Sequence, residues 1–427
     1  MLKIRIENLL DKMVVNMKLG DVCESISMTF RRQQDKIIPI NTSDVLDGKV
    51  TNHEYVPNKN LRGQFKKSFQ QQDILYSEIR PKNRRFAYID FNADDYVAST
   101  KLMVIRANDK ILPQFLFQVL KSDEIIDQLQ LLAETRSGTF PQITFSELAS
   151  LDVRIPPIPE QKEIAATLSC FDEKISNIAE KNHHLEQMAQ AIFKSWFVDF
   201  EPFADCEFID SELGEIPVGW SLQTIEYLAE KVAMGPFGSN IKVETFVESG
   251  VPIISGNHLR GLFLDELGYN FITEEHARRL SNSLVYAGDI IFTHAGNIGQ
   301  VALIPDDCDY PYYVISQRQF YLRCDKTKAL PEYINYFFHS HEGQGKLLAN
   351  ASQTGVPSIA RPSSHLKNIT LILPPIKVQL KWLETVQAML QILISNNKES
   401  KRLALIRDSL LPRLMSGELS VADLFVK

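Results

Sequence analysis

The hydrophobic pattern of this chain is long-period in two stretches and short-period everywhere else. After Pro159, the segment EQKEIAATLSCFDEKISNIAEKNHHLEQMAQAIFKSWF spaces its stripe alternately four and three apart. The stripe is Ile164, Leu168, Phe171, Ile175, Ile178, Asn182, Leu185, Ala189, Ile192 and Trp196. That is a heptad seam on a long helix, with one polar break at Asn182. Pro159 falls in the first turn, where its missing N–H costs nothing. An offset of 218 residues gives a second, rougher stripe: Trp382, Val386, Met389, Leu393, Asn396, Ser400, Leu403, Arg407, Leu410 and Leu414. Here Pro412 is expected to end the helix before Leu414. Registered seams predict two helices of roughly 36–40 residues, about 55–60 Å each, packed antiparallel.

Between these helices the period shortens. In the first segment, DILYSEI, RFAYIDF, DYVAST, KLMVIRA and DVRIPPI read as strands between polar and Gly/Pro turns. Positions 112–134 return to three-and-four spacing and predict one or two helices. The second segment keeps the same order. LPEYINYFFHS replaces LPQFLFQVLKS, and NITLILPPI ends as LDVRIPPI does. IPPIPEQ at 155–161 is answered by LPPIKVQ at 373–379, and SGTFPQI at 137–143 by TGVPSI at 354–359. The expected organisation is therefore a first globular domain at 1–157, a long helix at 158–200 and an acidic linker at 201–216. A second domain at 217–374, a second helix at 375–412 and a tail at 413–427 follow. The fold class is α+β: two mixed α/β domains in a pseudo-two-fold repeat, separated by two long antiparallel coiled-coil-like helices.

Composition narrows this only a little. A chain of 427 residues exceeds one ordinary core, and 44% hydrophobic with 23% charged residues suits a globular protein. No apolar run approaches a membrane span, and MLKIRIENLLDKMVVN lacks the form of a secretory signal. Five dispersed cysteines without a CxxC read as reduced thiols, so a cytoplasmic location is expected. Net charge is −7, which argues mildly against nucleic acid, but local patches decide that question. Lys59, Arg62, Lys66, Lys67, Arg80, Lys82, Arg84 and Arg85 cluster in the first domain. The segment 201–215 is acidic instead.

Catalytic signatures are missing: GxGxxG before a helix, GxxxxGK[ST], HExxH, GxSxG and the Asn/Asp/Ser-Pro-Pro-Tyr/Phe tetrapeptide of amino-methyltransferases. His183 and His184 are neighbours on a helix and cannot share one face for a metal. His339 and His341 are expected at the surface. What remains suits recognition. The turn EIRPKNRRF presents guanidinium forks, which fit guanine edges and phosphates. In the second domain GPFGSNIK, SGNHLRG, THAGNIGQ and SQRQ bring polar side chains to glycine-containing turns. The candidate DNA contacts there are Ser239, Asn240, Lys242, Asn257, His258, Arg260, His294, Asn297, Gln300 and Arg318. Ser137 and Thr139 are added as hydroxyl donors to phosphate.

These segments, in this order and repeated, resemble the specificity subunits of type I restriction-modification systems over essentially the whole chain. GPFGSNIK with GVPIISGNH, GDIIFTHAGNIGQ opposite DILYSEIRPKNRR, IPPIPEQKEIA, AIFKSWFVDFEPF and SLLPRLMSGEL carry the likeness. It departs at Lys377-Val378-Gln379, opposite Pro159-Glu160-Gln161, and in a short stretch before Leu19. The resemblance implies a non-catalytic subunit with two target-recognition domains, each reading half of a bipartite double-stranded DNA site. It implies docking to two methyltransferase subunits and, in the full complex, two restriction/translocase subunits. S-adenosylmethionine and ATP with Mg are implied for those partners, and no cofactor for this chain. Two other classes are weighed: a standalone DNA methyltransferase or nuclease, and a two-domain protein-binding scaffold.

Overall fold

The structure is a computed structural model describing residues 14–30, 34–59, 63–136, 141–266, 268–352 and 355–425. Two compact units make up the chain. The first runs to Ser176 and takes in the residues from Arg402 onward; the second is Asn177–Lys401.

In the first unit a four-stranded antiparallel sheet has the order Cys23–Ile26, Leu102–Ala107, Ile74–Ser77, Phe86–Tyr88. A second sheet orders Val56–Pro57, Lys36–Ile40, Tyr96–Ser99 and Phe65–Lys67, with its central pair parallel. Val15–Lys18 pairs with Asp152–Ile155. The expected helical stretch is two helices, Pro113–Leu120 and Asp123–Arg136. Their apolar faces, with Leu19, Ile74, Tyr76 and Ile105, form the main core.

The second unit repeats this plan strand for strand. Its first sheet is Ala229–Met234, Gln319–Cys324, Ile290–Thr293, Val301–Leu303. Its second sheet again centres on a parallel pair, Val251–Ile254 with Tyr313–Ile315. Ser221–Thr224 pairs with Thr370–Leu373, as the first unit's outer strands do. Pro331–His339 and His341–Leu348 take the helical places.

Each unit carries the same buried ion pair. Arg106 is bidentate to Asp73 at 2.7 and 2.8 Å, and Arg323 to Asp289 at 2.8 and 2.7 Å. Both aspartates are 1% exposed. Each unit also carries the same glutamine clamp. Gln161 accepts from Leu112 N (2.7 Å) and donates to the carbonyls of Lys110 (3.2 Å) and Pro156 (2.8 Å). Gln379 accepts from Leu330 N (2.8 Å) and donates to Lys328 O (3.3 Å) and Pro374 O (2.9 Å). The shared glutamine of IPPIPEQ and LPPIKVQ thus ties the start of a long helix to the residue capping a short one. At Pro113 and Pro331 that short helix begins with proline, and the clamped N–H is the one just before it.

The long helices are Ile158–Phe197 and Ile376–Met415, 40 residues each. Within the second unit they run antiparallel: Asn182 bonds Asn397 and Asn396 (2.7 Å each), and Phe193 meets Trp382. Ile164, Leu168, Ile178, Trp382, Val386, Leu393 and Leu403 of the expected seam are buried. Phe171, Ile175, Leu185, Ile192, Met389 and Leu410 are half-buried. At three places the buried position is shifted by one, while Ala189 and Leu414 of the stripe stay buried. Phe193, Leu390 and Leu411 take the buried places in lieu of Ile192, Met389 and Leu410. A 3.5-residue repeat drifts on a 3.6-residue helix, and these three side chains pack into globular cores.

Three boundaries differ from expectation. Pro412 does not end its helix, which runs to Met415. The proline removes one late hydrogen bond, while Leu411 and Leu414 bury in the first unit's core and Pro412 O still receives Ser416 N. The expected tail is not one: Val421 is buried, and Leu419 and Leu424 pack on the same core. The acidic linker is a short turn followed by a β-hairpin, Phe208–Ser211 with Gly214–Pro217, whose Ile216 is buried with Trp220.

His339 is not a surface residue either. It closes its helix half-buried, with Nε2 donating to Val301 O at 3.1 Å. Burial pushes its pKa down to about 4. An imidazole held neutral adds stability above its ordinary pKa of about 6.5, and that contribution is lost as pH falls toward 4. The His339→Gln variant is expected to lose about 2–3 kcal/mol less between pH 7 and pH 4 than the parent. Urea titrations at the two pH values measure this; equal losses would refute it.

Candidate nucleic-acid interface

In the second unit the turns rich in polar residues meet at the ends of the strands. Gly235 N donates to Gln319 O at 2.8 Å, which brings GPFGSNIK against the 316–319 turn. Gln319, 1% exposed, donates through Nε2 to Thr293 Oγ1 (3.3 Å) and accepts from the Ser316 hydroxyl. Thr293 in turn donates to Gln300 Oε1 at 3.2 Å, and Gly256 lies against that same oxygen. His294 N bonds Arg318 O at 2.9 Å, and Ile359 N bonds His294 O. One hydrogen-bonded knot therefore joins four turns that are far apart in sequence. Such a knot fixes the positions of the side chains around it.

Around this knot Asn240, Lys242, Asn257, Arg260, Asn297 and Arg318 are exposed. Gln300 is half-buried and spent on the knot. His294 is half-buried, bonded to Gln317 O at 3.1 Å, and burial holds its pKa below the usual imidazole value. His258 departs from expectation. It is 4% exposed, accepts from Ser255 N at 2.9 Å, and lies 4.5 Å from the Tyr269 ring. Its ring holds the SGNH turn from inside. The placement of the Ser239 side chain lies outside the described residues.

The first unit gives a different surface on the same frame. The turn between Ile74–Ser77 and Phe86–Tyr88 holds Arg80 and Arg84 at positive φ (45° and 51°), a strained backbone for side chains. Of its cations, Arg80 and Lys82 are exposed, and Lys82 pairs with Asp127 at 3.2 Å. Arg84 and Arg85 turn inward, contrary to the expected guanidinium forks. Arg84 pairs with Asp123 (2.5 Å) and Asp47 (3.6 Å). Arg85 donates to the carbonyls of Ser43 (3.0 Å) and Val45 (3.3 Å). Both staple the 43–50 hairpin to the turn. Lys59 and Lys66 are exposed. Lys67 is half-buried, donates to Leu102 O at 2.7 Å, and burial lowers its pKa. Arg62, Ser137 and Thr139 lie outside the described residues.

The family model for the type I restriction modification DNA specificity domain matches twice, at residues 12–187 and 219–404. This chain belongs to that family. A type I restriction enzyme HindI specificity subunit from Haemophilus influenzae is 30% identical over 94% of this chain and 98% of its own length. The MjaIX specificity subunit from Methanocaldococcus jannaschii is 28% identical over 74% of this chain and 71% of its own. A type I system S subunit from M. genitalium matches in fold with a TM-score of 0.50 at 15% identity, covering 95% of this chain and 96% of that one. The chain is accordingly a specificity subunit, a non-catalytic member of its restriction-modification system. Among the described residues no group of three His, Cys, Asp or Glu is placed to hold a metal, and no helix is long and apolar enough to cross a membrane.

The specificity-subunit frame explains several residues that the sequence did not single out. Thr293 and Gln319 organise the second unit's face from buried positions, and each looked like one more polar residue at a strand end. The Asp73–Arg106 and Asp289–Arg323 pairs sit at equivalent strand positions of the two copies. A search of the repeat for matched opposite charges would have found them.

Proposed function

We propose that the two units of this specificity subunit each read one half of a bipartite, asymmetric site on double-stranded DNA. The observation that supports this is a contrast within the repeat. Strand order, parallel pair, buried ion pair and glutamine clamp agree between the units. The exposed polar side chains do not: Lys59, Lys66, Arg80 and Lys82, all cations, in one, and a mixture of amides and cations, Asn240, Lys242, Asn257, Arg260, Asn297 and Arg318, in the other. Cations anchor phosphates and set register, while amides read adenine edges and Arg318 a guanine edge. Two unlike surfaces on one frame read two unlike half-sites. The long helices hold the half-sites at a fixed spacing.

In this reading the subunit works by binding alone. It docks two methyltransferase subunits and, in the full complex, two restriction/translocase subunits in a prokaryotic cytoplasm. S-adenosylmethionine, ATP and Mg are bound by those partners. Replacing 217–374 with another family member's second domain is expected to change one methylated half-site and leave the other. Methylome sequencing of a host carrying the chimera reads this out; a change in both half-sites would sink the modular reading.

A further inference from the structure

The turn after Ala229–Met234 holds an aromatic ring out into solvent. On one side Gly235 is wedged so tightly that any Cβ would collide with the Ser316 carbonyl. Gly238 follows at φ +61°, where side chains are strained. On the other side the Asn240 carbonyl accepts from His276 Nε2 at 2.7 Å. Between these anchors Phe237 is 75% exposed, and nearby Val243 81%. A pinned backbone denies the ring the retreat that a loose loop would offer.

Two observations indicate what covers it. The turn adjoins the polar face: Asn240 and Lys242 are its own exposed residues, and Arg318 lies in the turn against which Gly235 is wedged. The first unit also has an aromatic at the same register. Ile26 pairs with Val104, and Ala233 with Tyr321, at equivalent points of the two sheets. Four residues on from each strand position stand Phe30 and Phe237. Phe30 N bonds Lys66 O at 2.8 Å, so the backbone at half-buried Phe30 adjoins that of the exposed Lys66.

We propose that Phe237 makes an apolar contact with the base edges of the half-site read by the second unit, with Phe30 its counterpart in the first. This rests on the DNA-reading function proposed above. Phenylalanine suits a thymine methyl or an exposed base step, and it discriminates without adding charge.

The test uses the full chain reconstituted with its methyltransferase subunits. Binding to the cognate duplex and to one with that half-site scrambled is measured over a range of salt. Phe237→Ala is expected to weaken cognate binding by about tenfold, leave scrambled binding and the salt slope unchanged, and keep the parental Tm. Phe237→Leu retains most of the affinity. Lys242→Ala instead weakens both duplexes and lowers the salt slope by about one. Unchanged cognate affinity in Phe237→Ala, equal loss on both duplexes, or a lowered Tm would overturn the proposal. So would failure of that variant to assemble with the methyltransferase without DNA, since a protein would then be what covers the ring. A parent complex that does not distinguish the duplexes would refute the DNA-reading function itself, and this inference with it.

Discussion

Replacing Gln379 with leucine is expected to destabilise the second unit by about 3–5 kcal/mol. The side chain is fully buried and makes three hydrogen bonds, to Leu330 N, Lys328 O and Pro374 O. Leucine fills the space but leaves three backbone groups, one buried and two partly buried, without this partner, each costing about 1–3 kcal/mol where water does not reach it. Local relaxation recovers part of that sum. All three tryptophans of the chain, Trp196, Trp220 and Trp382, belong to the second unit, so their emission in urea reports its unfolding. The transition midpoint should fall steeply, and Leu330 N should lose its protection from hydrogen exchange. Gln161→Leu should expose the Leu112 amide in the same way. A variant with the parental midpoint and a protected Leu330 would show that the clamp is dispensable.

Breaking one partner of a repeated ion pair is expected to be as costly. Asp289 is 1% exposed, and Arg323 is its bidentate partner. Burial pushes the carboxyl pKa up, and the guanidinium pulls against that shift. Arg323→Met strands a buried carboxylate and should cost about 3–5 kcal/mol. Arg323 also stacks over Tyr286, 5.0 Å from that ring's centroid, and methionine keeps part of that contact. Replacing both partners, Asp289→Leu with Arg323→Met, should recover most of the loss, because no uncompensated charge is left behind. A double-mutant cycle by urea denaturation decides it. A double variant as unstable as Arg323→Met would mean that the hydrogen bond Asp289 accepts from Tyr286 N at 2.9 Å, which leucine also removes, matters as much as the charge pair.

The glutamines and the ion pairs also mark how far the sequence could be read. The heptad stripes announced both helices, and duplicated strand runs announced two similar domains, because each is a local periodicity. Gln161 and Gln379 were visible as shared letters, yet their role depends on an amide 49 residues upstream in each copy. No local pattern carries such a pairing. The candidate face was legible only in part for a related reason. A turn rich in arginine shows charge but not direction: Arg80 and Lys82 face outward, while Arg84 and Arg85 serve the fold. His258 failed for the same cause, since an imidazole in a glycine turn can cap that turn as readily as it can meet a ligand. Pro412 misled because the penalty for proline late in a helix is small beside the burial of Leu411 and Leu414.

The division of the chain between the units bears on how it is made. Leu19 and Ile74 of the first core emerge early from the ribosome, but Leu411, Leu414 and Val421 of that core emerge last. Every residue of the second unit is translated before them. Domains usually fold in the order of their synthesis. In this chain the domain made first waits, with part of its apolar surface uncovered, until the domain made second is already complete.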